Sequence, residues 1–94
     1  MNKEVMTTID LLAPNMNIHS NTDENYWIIG IDYNTEAEAF SDFEKIKEID
    51  SSAEMKVSDD TDFVEGWYPV DFIIDTTNLT REDIVNISYV IEPN

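Results

Sequence analysis

The chain contains no cysteine, which excludes disulfide staples and thiolate metal sites. Small domains in oxidising compartments commonly depend on such staples, so a cytoplasmic setting is expected. Glycine is almost as scarce. Gly30 and Gly66 stand far apart, and no glycine-rich phosphate loop can be built from them. The single histidine, His19, has no second histidine to share a metal with and no evident partner to orient it as a general base. It reads as a solvated loop residue. No serine sits in a nucleophile-elbow pattern. With these gaps, neither catalysis nor a cofactor is expected. No apolar run approaches the 18 residues of a membrane span. Met1-Asn2-Lys3-Glu4 leads into mixed residues rather than the apolar stretch of a signal peptide. The most consequential shortage is positive charge. Five Lys and Arg face 21 Asp and Glu, for a formal net charge of −16. Direct binding to DNA, RNA or an anionic membrane needs basic surface and is disfavoured.

What is present suffices for one domain of 94 residues. Apolar residues make up 41 % of the chain and aromatics 11 %. A core can therefore form, and the chain is too apolar for a disordered acidic tail. Self-repulsion at −16 opposes compaction, so charge of this size calls for a functional reason.

Val5, Thr7, Ile9 and Leu11 alternate and predict a strand over 4–12; a helix using Val5, Met6, Ile9 and Leu12 is the rival reading. Pro14, four Asn, Ser20 and Asp23 make 13–25 a loop. Tyr26-Trp27-Ile28-Ile29-Gly30-Ile31-Asp32-Tyr33 is the clearest strand. It is apolar at nearly every position, which predicts a central strand covered on both faces. Thr35 and Glu38 form a capping-box pattern that opens a helix over 35–49. Phe40, Phe43, Ile46 and Ile49 supply its expected buried stripe, and Glu36, Asp42, Glu44 and Glu48 its solvated face. A short edge strand is expected over 53–58 and an acidic turn over 59–65. A second strong strand follows over 67–75, with Val70, Phe72 and Ile74 on one face and Asp71, Ile73 and Asp75 on the other. Thr80-Arg81-Glu82-Asp83 starts a short helix, and Ile87 to Ile91 reads as a last strand. The expected class is α+β: an antiparallel or mixed sheet with one main helix packed on one face. From residue 26 onward the order suits a ferredoxin-like βαββαβ arrangement, with an extra strand ahead of it.

The densest acidic run is Asp59-Asp60-Thr61-Asp62-Phe63-Val64-Glu65-Gly66. Counted as a calcium loop from Asp60, it puts Glu65 where glycine is needed and Asp71 where a bidentate glutamate belongs. That leaves a solvated turn with weak, nonspecific affinity for divalent cations, not a built metal site. The run has a second property. No positive charge occurs between Lys56 and Arg81, and Trp67-Tyr68-Pro69 interrupts the carboxylates. Carboxylates steer and pair with Arg and Lys, while Trp and Tyr supply anchoring area. The expected partner-binding residues are Asp59, Asp60, Asp62, Glu65, Trp67, Tyr68 and Asp71, joined by Asp42, Glu44 and Glu48 on the helix. Core packing at a strand start is the competing reading for Trp67; partial exposure is expected for Tyr68.

A domain of this mass exposes about 5,500 Å², so −16 spread evenly is roughly one net charge per 350 Å². Duplex DNA, taken as a cylinder of about 10 Å radius, carries roughly one per 100 Å². Resemblance to DNA therefore requires the carboxylates to be concentrated on one side. The functional expectation is an acidic inhibitor or antagonist. It would bind a basic protein, such as a nuclease, and occupy its nucleic-acid-binding surface as a nucleic-acid mimic. Phage proteins of the anti-CRISPR and anti-restriction type are similar in composition and size. So are immunity proteins that neutralise basic nuclease toxins, which form the alternative reading. A regulatory interaction domain whose acidity serves solubility is a further one.

Overall fold

A computed structural model describes residues 1–16, 18–57 and 66–92. In chain order it contains α1 (Lys3–Leu12), a 3-10 turn (Ala13–Asn15), β1 (His19–Asp23), β2 (Tyr26–Tyr33), α2 (Glu36–Ile49), β3 (Glu54–Val57), β4 (Tyr68–Asp75) and α3 (Arg81–Ile91). The strands form one antiparallel sheet in the order β1-β2-β4-β3. The helices pack on one face of it, with α3 touching both α1 and α2. The fold is α+β, as expected. Among the described residues the ferredoxin-like arrangement is not seen: α1 occupies the segment expected as the extra first strand, and α3 the segment expected as the last strand.

The β2–β4 pair is the spine. Its register runs from Tyr26 opposite Asp75 to Tyr33 opposite Tyr68. Side chains alternate across a strand. Trp27 and Ile29 therefore share a face with Val70, Phe72 and Ile74, and all five are at most 2 % exposed. Burying side chains of this size stabilises the fold by about 1.5–3 kcal/mol each. β2 is central, as its composition implies, but helices cover only one of its faces. Tyr26 and Asp32 point away from them and are exposed.

In α2, the Glu38 amide donates to Thr35 Oγ1 at 3.2 Å, and Glu36 and Glu38 occupy the first turn. Three members of the expected Phe40, Phe43, Ile46, Ile49 stripe face the core, with Ile46 buried and Phe43 and Ile49 half-buried against it; Phe40 does not, and Ala39 takes its place. Ala39 and Ile46 are fully buried, Phe43 stacks on Phe72 with ring centres 6.0 Å apart, and Phe40 is 42 % exposed. The reason is geometric. Three-residue spacing advances about 300° per step, so a four-member series drifts halfway round the helix.

Three further expectations are corrected. Residues 3–12 are helical, not a strand. Asn2 Oδ1 accepts the Glu4 amide at 2.8 Å, and Val5, Thr8 and Ile9 form the buried face. The second half of the expected loop is β1, which pairs with β2 through a Glu24–Asn25 hairpin. The expected last strand is the continuation of α3. Its capping box is present: the Asp83 amide donates to Thr80 Oγ1 and the Thr80 amide to Asp83 Oδ2. Ile84, Ile87 and Ser88 then bury one helical stripe. β-Branched residues favour strands in isolation, but here packing at helical spacing outweighs that preference of well under 1 kcal/mol per residue.

Two buried polar groups lock the Tyr26–Asp75 end of the spine. The Thr76 amide and hydroxyl both donate to the Asn25 carbonyl, at 2.7 and 2.6 Å, tying the hairpin to the end of β4. Asp50, the C-cap of α2, is 8 % exposed. Its Oδ1 accepts the Ser52 amide and hydroxyl at 3.1 and 2.6 Å, and its Oδ2 accepts the Asp75 amide at 3.1 Å.

Candidate functional site

Strand alternation gives the sheet a second face, and among the described residues nothing packs over it. The pairing register reads this face as rows crossing the strands. One row is Asp23, Tyr26 and Asp75. The next is Asn21, Ile28, Ile73 and Glu54. A third is His19, Gly30, Asp71 and Lys56, and Asp32 beside Pro69 completes the set. All four strands contribute. The centre is apolar, with Ile28 and Ile73 as direct cross-strand neighbours, and carboxylates surround it.

Each feature has a local cause. Gly30 leaves room for its neighbours: a Cβ there would lie 3.0 Å from Asp71 Oδ1 and 3.3 Å from the His19 Cβ. The Asp71 carboxylate can thus lean across β2 towards β1. Asp75 lies at the strand end, where Oδ1 accepts the Thr77 hydroxyl at 2.6 Å and its amide at 2.9 Å. The hydroxyl, then the amide, holds the Asp75 carboxyl below the usual carboxylate range, although it sits at the surface. This carboxylate is therefore both fixed in direction and ionised at neutral pH.

Charge on this face is dense. Asp23, Asp32, Glu54, Asp71 and Asp75 stand against Lys56. Strand spacing of about 4.8 Å and rise of about 3.3 Å per residue give the four-strand face a footprint of roughly 400 Å². That is about one net negative charge per 100 Å², the geometric density of duplex DNA. The whole molecule exposes 6164 Å² for its 16 net charges, or about one per 390 Å².

The residues expected to bind a partner are divided among several places. Asp59, Asp60, Asp62 and Glu65 lie outside the described residues. Asp71 is on the uncovered sheet face. Trp67 is 39 % exposed just before β4. Tyr68 is half-buried and packs against the core. Glu44 and Glu48 are exposed on α2, on the far side of the sheet from Asp71. Asp42 is not a free surface charge. Its Oδ2 accepts the Tyr33 hydroxyl at 2.7 Å, and burial, followed by this bond, pushes the Tyr33 phenol well above its ordinary value. The helix acids and Asp71 therefore do not form one side. The residues that join Asp71 are Asp23, Asp32, Glu54 and Asp75, with Tyr26, Ile28 and Ile73. The 71–73–75 alternation places Ile73 and Asp75 on the same face as Asp71, but the contribution of β1 requires the pairing register.

His19 stands in β1 opposite Gly30, exposed at the edge of this face, not in a loop. Among the described residues no group of three or more His, Asp or Glu side chains is placed to hold a metal ion. No helix among them is long and apolar enough to cross a membrane. Comparison with known protein families, curated proteins and solved structures finds no match to this chain.

Proposed function

We propose that this protein is an acidic antagonist that acts in the cytoplasm by binding a basic nucleic-acid-handling protein and blocking its nucleic-acid-binding surface. The observation that supports the reading is the uncovered sheet face. It concentrates carboxylates to about the charge density of duplex DNA, on a rigid four-stranded platform. A rigid array lowers the ordering entropy lost on binding. Its charge steers a basic partner and makes association salt-dependent. The apolar centre adds contact area that a phosphate backbone lacks.

The test is displacement of fluorescent duplex DNA from a panel of purified basic enzymes: an RNA-guided nuclease, a restriction enzyme and a nuclease toxin domain. Near-stoichiometric protein is expected to release DNA from at least one of them, less effectively as salt rises from 50 to 500 mM. The triple variant Asp23→Lys, Asp32→Lys, Asp71→Lys is expected to lose this effect. The equally charged variant Glu36→Lys, Glu44→Lys, Glu48→Lys on α2 is expected to retain most of it. Failure to displace DNA from any of these enzymes at low salt overturns the proposal. Equal loss from both variants removes the sheet face from it.

A further inference from the structure

The uncovered face is not flat. Across the sheet at its Tyr26–Asp75 end lies a groove of about 440 Å³, bounded by Asp23, Tyr26, Ile28, Glu54, Ile73 and Asp75, with Ser52 at its margin. Its composition differs from that of a solvated acidic surface. Ile28 and Ile73 form the floor, side by side across β2 and β4, half-buried although no helix covers them. The Tyr26 ring is 44 % exposed. Asp23 and Asp75 occupy the positions opposite Tyr26 on either side, and Glu54 lies opposite Ile73.

We propose that this groove is the docking point for an arginine side chain of the basic partner. The inference rests on the function proposed above and names the chemistry of its contact. An arginine matches each part. Its aliphatic stem covers the two isoleucines and removes apolar surface from water. Its planar, weakly hydrated guanidinium stacks on the tyrosine ring and meets carboxylates in a two-pronged geometry. Lysine, a compact and strongly hydrated charge, satisfies the carboxylates but gains less from the ring. Asp75 is the best-prepared acceptor. Thr77 already fixes its Oδ1, so Oδ2 is presented without further loss of rotamer freedom.

The experiment is titration of the isotopically labelled full chain with a hexa-arginine peptide, followed by amide chemical shifts in 50 mM salt. Hexalysine and the neutral isostere hexacitrulline serve as comparisons. The largest shifts are expected at Tyr26, Ile28, Glu54 and Ile73. Hexa-arginine should bind several-fold more tightly than hexalysine, and hexacitrulline should not bind. Tyr26→Ala is expected to weaken hexa-arginine about five-fold and to narrow its advantage over hexalysine, whereas Tyr26→Phe preserves both. Because the ring is exposed, an unchanged amide spectrum elsewhere verifies the fold of each variant. If hexa-arginine binds with shifts spread equally over α2, or if Tyr26→Ala leaves its affinity unchanged, the groove is not its site and the charge-based function stands. If no cationic peptide binds at 50 mM salt, both the groove and the proposed function fall.

Discussion

Asp50 offers a sharp test of how the fold is held together. A carboxylate at a helix C-terminus faces the negative end of the dipole, an unfavourable position by about 0.3–1 kcal/mol. It persists there because it accepts three hydrogen bonds, two from backbone amides, and joins the end of α2 to the end of β4. Asp50→Ala removes all three acceptor contacts. Ser52 is exposed and regains water. The Asp75 amide is part-buried and loses its partner. An unsatisfied buried amide costs about 1–3 kcal/mol. Adding the weaker Ser52 contacts and subtracting the relieved dipole term leaves about 2 kcal/mol. In a domain of this size that lowers Tm by roughly 10 °C. Asp50→Asn retains one acceptor oxygen, and about half that fall is expected. Thermal unfolding followed by circular dichroism at pH 7 measures both. A fall below about 3 °C for Asp50→Ala would refute the claim that this carboxylate locks the helix to the sheet.

Two other predictions concern buried polar contacts. Trp27 is fully buried and its Nε1 donates to Ser20 Oγ at 2.8 Å; Ser20→Ala should therefore destabilise the protein by about 1–2 kcal/mol, visible as a lower denaturant midpoint with an unchanged slope. The Tyr33 phenol has a raised folded-state pKa, so its contribution is full below the unfolded value of about 10 and is lost as pH rises through and above it. Stability from denaturant titration should fall above about pH 10, and Tyr33→Phe should flatten that fall; an unchanged slope in the variant excludes Tyr33 as its source.

Much of the architecture was legible from local pattern. β2 and β4 are rich in β-branched and aromatic residues, and both fall where composition and alternation put them. The Thr35 and Thr80 caps mark true helix starts, because a threonine oxygen can accept an amide three residues on whatever packs nearby. The misread segments share a cause. Residues 3–12 carry apolar side chains that satisfy both period 2 and period 3.6, and only burial of Val5, Thr8 and Ile9, on the side of α1 that meets α3 and the core, selects the helix. Ile87 to Ile91 has strand-like composition, yet β3 and β1 already form the sheet edges and α3 has a core stripe to bury.

By itself the sequence determined the charge of −16, the scarcity of nucleophilic and metal-binding groups, and the alternating faces of the two central strands. These are sums or short-range periodicities, which need no knowledge of neighbours. Tertiary structure decided where the charge lies. The segment His19-Ser20-Asn21-Thr22-Asp23 has little strand propensity. It becomes β1 because β2 offers a free edge, Trp27 needs the Ser20 hydroxyl, and Thr76 grips the Asn25 carbonyl. That pairing carries Asp23 to Tyr26 and His19 to Gly30. The helices, by covering the other face, leave Asp71 with strand carboxylates and separate it from Glu44 and Glu48. Cross-strand neighbours more than 40 residues apart meet only through register, and register is set by burying one face of the whole sheet.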